Sequence, residues 1–389
     1  MMLVPYGRQD IQDSDITAVL DVLKSDFLTQ GPTVPLFEKA VREVCGADYA
    51  VAVNSATSAL HIALMALGVG AGDTVWTSPN TFVASSNAAL YCGAGVDFVD
   101  IDLDTYNLSI ISLREKLEQA AVLGVLPKVV IPVHLTGQPC DMRAIHELSQ
   151  QYGFKVVEDA SHAIGGRYRD GAIGNCEYSD ITVFSFHPVK IVTTAEGGMA
   201  LTNNSALAEQ MSLFRSHGIT RDPLLMTRVP EGPWYYEQIA LGYNYRMTDL
   251  QAALGASQMQ RLHEYVDRRH ELAARYTQEL QGLPLVLPKQ EEFSYSAYHL
   301  YVIRLDLDAI KPLTHLEVFQ SLRERDILVN LHYIPVHTQP YYQKMGFEWG
   351  DFPNAEAYYN SAISIPMFPT LSCDAQAKVI SALNEILAK

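Results

Sequence analysis

The chain has 389 residues, 48% hydrophobic and 19% charged, with a formal net charge of −16. That length supports a large core and two or three domains, and the acidic balance argues against a general nucleic-acid binder, which needs a basic surface. Five cysteines (Cys45, Cys92, Cys140, Cys176 and Cys373) without a CxxC pair fit reduced structural thiols, and the absence of a long apolar run or a leader-like N-terminus predicts a cytoplasmic protein with no membrane partner.

Residues 10–25 and 35–44 read as amphipathic helices, residues 49–53 as a strand, and the alanine-rich stretch 57–67 as a buried helix. Short apolar strands follow at 74–78, 96–100, 129–133, 155–158, 181–184 and 198–202. Helical stretches such as 82–91 and 142–152 lie between several of them. This alternation predicts an α/β fold with a mostly parallel, buried sheet. Ligands of such sheets gather beyond the carboxyl ends of the strands, which puts Asp159 and Ser185 in one place. The pattern changes after Tyr245. Residues 247–276 read as one long helix, followed by a strand at 298–305, a helix at 316–325, a short strand at 327–330 and a helix at 374–387. The expected division is a large α/β domain over residues 10–247 and a smaller α+β domain over 248–389, with residues 1–9 packing on the second.

The strongest chemical signal is Lys190, which ends the run Phe184-Ser185-Phe186-His187-Pro188-Val189-Lys190, taken with Asp159, which ends Val156-Val157-Glu158-Asp159. A lysine in an apolar, glycine-flanked turn behind a carboxylate at a strand tip suits pyridoxal 5′-phosphate (PLP). The aldehyde needs an amine whose pKa desolvation has lowered. The pyridine nitrogen needs a carboxylate to stay protonated.

Other segments gain or lose weight beside that pair. Asn54-Ser55-Ala56-Thr57-Ser58 follows a strand and opens a helix, where small residues and free N–H groups suit a phosphate; alone, it is a plain N-cap. Phe82 could stack on a planar ring, though such a residue is more often core. Ser185, between two phenylalanines, is a phosphate donor or a satisfied buried hydroxyl. His162 and His187 near Glu158 lack metal-ligand spacing, so no metal is expected. Gly68-Val69-Gly70-Ala71-Gly72-Asp73 follows a helix and precedes a strand, the reverse of a dinucleotide fingerprint, and reads as a turn. Asn244 and Arg246, before the long helix, offer an amide and a guanidinium to anionic groups, in their own subunit or across a subunit interface.

These residues resemble the fold-type I PLP-dependent sugar aminotransferases of the DegT/DnrJ/EryC1/StrS group. The resemblance runs from Pro5-Tyr6-Gly7-Arg8-Gln9 and Leu28-Thr29-Gln30-Gly31-Pro32 to Ile363-Ser364-Ile365-Pro366-Met367-Phe368. It implies that Lys190 is the Schiff-base lysine, Asp159 pairs with the pyridinium nitrogen, His162 lies near the phenolic oxygen and Phe82 stacks on the ring. Ala56, Thr57 and Ser185 would bind the phosphate, with Asn244 reaching it from the second subunit of a homodimer. Tyr6, Gln30, His187, Arg246, His332 and Tyr333 would serve the nucleotide-sugar side. The family's phosphate cup often has glycine where Ser55-Ala56 stand here, a tolerable change because backbone donors do the binding. Within the group, Phe186-His187-Pro188-Val189-Lys190 with Thr193-Thr194 and Glu196-Gly197-Gly198 is similar to the branch of pseudaminic acid biosynthesis. The implied reaction is amination of a UDP-linked 4-keto-6-deoxy-N-acetylhexosamine with L-glutamate as donor. Its rivals are amination of another UDP- or dTDP-linked 4-keto sugar, a PLP-type sugar dehydratase, which has histidine where Lys190 stands, and a non-catalytic regulator that binds a nucleotide sugar.

Overall fold

The computed structural model describes residues 3–387. Seven strands, β1 (Tyr49–Val53), β2 (Thr74–Thr77), β3 (Gly95–Phe98), β4 (Val129–Ile131), β5 (Lys155–Asp159), β6 (Ile181–Ser185) and β7 (Gly198–Thr202), form one sheet in the order β1-β7-β6-β5-β4-β2-β3. Only β7 runs against the rest, pairing antiparallel with β1 and β6. The expected α/β architecture with a mostly parallel sheet is the one observed.

Strand side chains alternate between the two faces, which here divide into separate cores. Val53, Ile131, Val157, Val183 and Ala200 pack with the helices Ala56–Ala66 and Ala84–Tyr91. Their neighbours Ala52, Val130, Val156, Phe184 and Leu201 pack on the opposite side. By the same alternation Asp159 and Ser185 share the face of the helix Ala56–Ala66, and Glu158 lies on the other. Every residue of β4 and β6 is buried, as expected of strands covered on both sides.

A second, antiparallel sheet joins Leu285–Val286, Tyr301–Leu305 and Ala362–Ile365. It packs with the helices Leu262–Glu279, His315–Glu324 and Cys373–Leu387, and Val4 joins this core. The later part of the chain also returns to the first sheet: Val336, Tyr342, Ala355 and Tyr358 lie in the core beside the helix Ala56–Ala66.

Two sequence expectations are corrected. The helix over 247–276 is two helices, Asp249–Met259 and Leu262–Glu279. At the break, the Arg261 guanidinium leaves the helix surface to meet buried Asp15 at 2.7 Å, while Gln258 donates to the same carboxylate. The first piece packs on the helices Asp13–Leu23 and Thr33–Cys45, and the second continues into the smaller core. The strand expected at 327–330 is not a ladder. Ile327 bridges to Val4 and Asn330 to Ser364, so its two ends pair with different partners. The helices Ile110–Leu123 and Ser205–Arg215 and the strand Ala362–Ile365 were not singled out from the sequence. Among the described residues no helix is long and apolar enough to cross a membrane, and all five cysteines are unpaired.

Arg269 ties this second region together. It is 1% exposed, and its Nη1 donates to the carbonyls of Tyr298, His299 and Met367. Burial draws its pKa down to about 9, still above neutrality. Each buried acceptor left without a donor costs about 1–3 kcal/mol. Arg269→Met should therefore lower the urea midpoint strongly, and Arg269→Lys should recover part of the loss. A Met variant with wild-type midpoint would show that the three carbonyls find other partners.

Candidate active site

The carboxyl ends of β5 and β6 bring Asp159 and Ser185 together as the last residues of adjacent strands. Asp159 is 5% exposed. The Ser85 hydroxyl donates to its Oδ2 at 2.6 Å, and the Ser161 hydroxyl and backbone N–H donate to Oδ1 at 2.6 and 3.2 Å. Ser85 in turn contacts the Thr81 hydroxyl at 2.8 Å. The sequence reading missed Ser85 and Thr81. Their only signal is the i,i+4 spacing of two hydroxyls at a helix start, which occurs at many plain helix ends.

Ser185 sits opposite Gly198 in β7, and Gly198 sits opposite Val53 in β1. A Cβ on Gly198 would lie 2.5 Å from the Ser55 carbonyl and the Ala56 nitrogen. Only glycine lets the start of the helix Ala56–Ala66 settle against the sheet at this point. Ser55 caps that helix by accepting the Ser58 N–H at 3.1 Å, which leaves the N–H groups of Ala56 and Thr57 without an intrahelical acceptor. The Ser185 hydroxyl makes no protein hydrogen bond among the described residues. A hydroxyl, two free amides and a helix N-terminus thus form an anion cradle.

Lys190 follows in a turn closed by its N–H donating to the His187 carbonyl at 2.9 Å. Its side chain keeps some exposure, yet enough protein surrounds the amine that burial pulls its pKa down to about 8, with Asp159 opposing the drop. The nearby imidazoles add no charge at neutral pH. Burial, then Lys190, lowers His332 to about 3. Burial, then Lys190 and His332, hold His162 well below its ordinary value.

His162 is 5% exposed. Its Nδ1 accepts the Thr136 N–H at 3.3 Å, and its Nε2 lies 3.2 Å from the Tyr333 hydroxyl. Burial raises the Tyr333 pKa, and the charge of Asp159 adds to the effect. Tyr333 also lies 6.0 Å, ring to ring, from Phe82, which is 57% exposed and ready to cover a planar group. Phe82 precedes its helix by two residues rather than opening it. Tyr6 packs 5.4 Å from His332, so Tyr6, His332, Tyr333 and His162 form one wall.

The other candidates do not join this wall. Gln30 and Arg246 line a recess of about 210 Å³ with Arg215 and Glu38. Asn244 and His187 are exposed. The Asn244 carbonyl accepts from the Asn54 side chain at 3.4 Å, beside the first strand's carboxyl end. Sequence reasoning also missed Thr136 and His299. The His299 ring lies 4.4 Å from that of His162.

PLP fits this set. The amine suits its aldehyde, the buried carboxylate its pyridine nitrogen, the cradle its phosphate and Phe82 a ring face. Residues 9–384 match the DegT/DnrJ/EryC1/StrS aminotransferase family. Bacillus subtilis SpsC, a spore coat polysaccharide biosynthesis protein, is 40% identical over 99% of this chain and 97% of its own. Helicobacter pylori PseC, an aminotransferase involved in the biosynthesis of pseudoaminic acid, superposes with a TM-score of 0.89 at 29% identity, covering 100% of both chains. The PLP form of Streptococcus pneumoniae Spr1654, a putative sugar aminotransferase, gives a TM-score of 0.88 at 28% identity over 99% of this chain and 98% of its own. The chain belongs to the DegT/DnrJ/EryC1/StrS aminotransferase family and is a PLP-dependent sugar aminotransferase.

The lowered amine gives a direct test. In cofactor-free protein, modification of Lys190 by an amine reagent should rise with pH through a midpoint near 8, well below that of ordinary lysines. Asp159 favours the charged amine, so Asp159→Asn should move the midpoint lower still. A midpoint at the ordinary lysine value would refute the desolvated amine.

Proposed function

We propose that this enzyme transfers the amino group of L-glutamate to the ketone of a UDP-linked 4-keto-6-deoxy-N-acetylhexosamine, giving the UDP-4-amino sugar on a route to pseudaminic acid. The observation that carries the amine-transfer chemistry is the Lys190 amine set beside buried Asp159, next to the Ser185 cradle. The sugar and pathway rest on PseC's described role and the resemblance around Lys190.

When bound, PLP supplies an aldehyde that takes up the amino group and a ring that withdraws electrons from the reacting carbon. Lys190 would hold the cofactor and, once released, carry the proton to and from the donor's α-carbon. An amine with a pKa near 8 suits both directions of that transfer. Asp159 would keep the pyridine nitrogen protonated, its own charge held by Ser85 and Ser161. Ser185 and the amides of Ala56 and Thr57 would hold the phosphate, Phe82 would cover the ring, and His162 would flank the phenolic oxygen. Tyr6, His332 and Tyr333, with His187, would line the sugar side.

A homodimer with shared sites completes the proposal: Asn244 would reach the partner's phosphate, with Gln30 and Arg246 on the nucleotide side. The exposure of the Asn244 side chain supports this. We also propose a domain division near residue 248 and a cytoplasmic location. A second reading is a different 4-keto-6-deoxy nucleotide sugar destined for a surface polysaccharide, favoured by the higher identity to SpsC.

A mass-detected screen of UDP- and dTDP-linked 4-keto sugars with glutamate separates these readings; amination of dTDP sugars alone would reject the first. Borohydride should fix PLP to the wild type but not to Lys190→Ala, and fixation in the variant would move the assignment to another lysine. Mixing inactive Lys190→Ala with strongly impaired Asn244→Asp should restore activity, because one site of the heterodimer escapes both defects. Subunit exchange, shown by tag pull-down, without recovery would place Asn244 in its own chain's site.

A further inference from the structure

The far side of the sheet carries a buried polar chain that the proposed chemistry leaves unused. Glu158 neighbours Asp159 on β5 but points to the opposite face. Its carboxylate accepts hydrogen bonds from the hydroxyls of Ser179 and Thr182 and from His134 Nε2, the last at 2.7 Å. His134 is fully buried, and its Nδ1 accepts the Cys140 N–H at 3.1 Å. An acceptor at Nδ1 fixes the proton on Nε2, where Glu158 receives it. The His134 backbone N–H meanwhile donates to the Asp159 carbonyl at 3.1 Å.

His134 opens a tight turn in which Thr136 has a φ of 63° and Gly137 a φ of 107°. A Cβ on Gly137 would lie 2.9 Å from the Tyr298 nitrogen and 3.0 Å from the His162 carbonyl oxygen, so the turn presses directly on the backbone that carries His162. From this turn the Thr136 N–H reaches His162 Nδ1. By the same logic His162 carries its proton on Nε2 and donates it to the Tyr333 hydroxyl. That hydroxyl, having accepted, keeps its own proton for an acceptor in the site.

We propose that Glu158 and His134 are positioning residues: from the far face of the sheet they hold the 134–138 turn so that His162 stays in its Nε2–H tautomer and Tyr333 is left as a hydrogen-bond donor toward the cofactor. This rests on the proposed place of His162 beside the cofactor. Burial lowers the His134 pKa, but its contacts with Cys140 and Glu158 outweigh that and raise it to about 10; a ring whose Nδ1 accepts the Cys140 N–H is nonetheless neutral, and it needs only an acceptor oxygen at position 158, not a charge. Glu158→Met therefore removes the hold, and Glu158→Gln retains it.

The test uses the full-length protein labelled with 15N-histidine, with and without PLP. The His162 signals are assigned by their loss in His162→Gln. In cofactor-free wild type they should show the Nε2–H pattern; an Nδ1–H or mixed pattern overturns the proposal before any other variant is made. Glu158→Met should give a mixture of tautomers and Glu158→Gln the wild-type pattern. Unchanged signals in folded Glu158→Met overturn the proposal. With PLP bound, the pH midpoint of the visible band should rise by about half a unit or more in both Glu158→Met and Tyr333→Phe, because a lost donor weakens the more anionic form. Wild-type midpoints in both overturn the link from His162 to Tyr333. Absence of borohydride fixation at Lys190 in wild type would sink the cofactor assignment alone, since the tautomer result is read without cofactor.

Discussion

A carboxylate buried at the tip of a central strand must be answered by donors, and much of this site follows from answering Asp159. An ionised group in a low-dielectric interior is tolerated only when hydrogen-bonded or paired. Here the donors come from two directions: Ser85 from the helix over the sheet, and Ser161 from the turn that continues the strand. Each donor fixes an element. The helix Ala84–Tyr91 cannot slide without losing Ser85, and the turn after β5 cannot open without losing Ser161. Phe82 lies two residues before that helix and His162 in that turn, so their positions follow from the same constraint.

The second requirement is to hold an anion on a protein of net charge −16. In the proposed site the protein would meet it locally. The reversed strand β7 places Gly198 between β1 and β6, and the absence of a side chain there lets a helix N-terminus descend beside Ser185. Backbone amides supply partial positive charge without the cost of burying another cation. Lys190 is then the cation the site must manage. Burial lowers its pKa to about 8 and Asp159 opposes the drop, while His162 and His332 stay neutral beside it, so the amine can be charged or free near neutral pH.

The wall formed by Tyr6, His162, His332 and Tyr333 joins segments from both ends and the middle of the chain. It forms because the later part of the chain returns to the first sheet: Val336, Tyr342 and Tyr358 pack beside the helix Ala56–Ala66, and the Tyr333 N–H donates to buried Asn80 at 3.3 Å. The polar face of the site is therefore supported by apolar packing some distance from it, which gives the second half of the chain a direct hold on the chemistry of the first.

Much of this was legible in the residues themselves. The alternation of short apolar runs and helices determined the α/β sheet, because buried parallel strands have to be continuously apolar. Asp159, Ser185 and Lys190 stand out as candidates in the sequence because each is defined locally, by its place at a strand tip or in the turn just beyond one. The break between Met259 and Leu262 was not legible, since helical periodicity runs straight through it, and the contacts that mark it, Arg261 and Gln258 with Asp15, are far away in sequence. The split pairing of residues 327–330 was hidden for the same reason. Ser85, Thr136 and the tautomer of His162 belong to the tertiary structure alone: a serine hydroxyl or a backbone N–H looks the same in any sequence, and only folding decides which acceptor it meets.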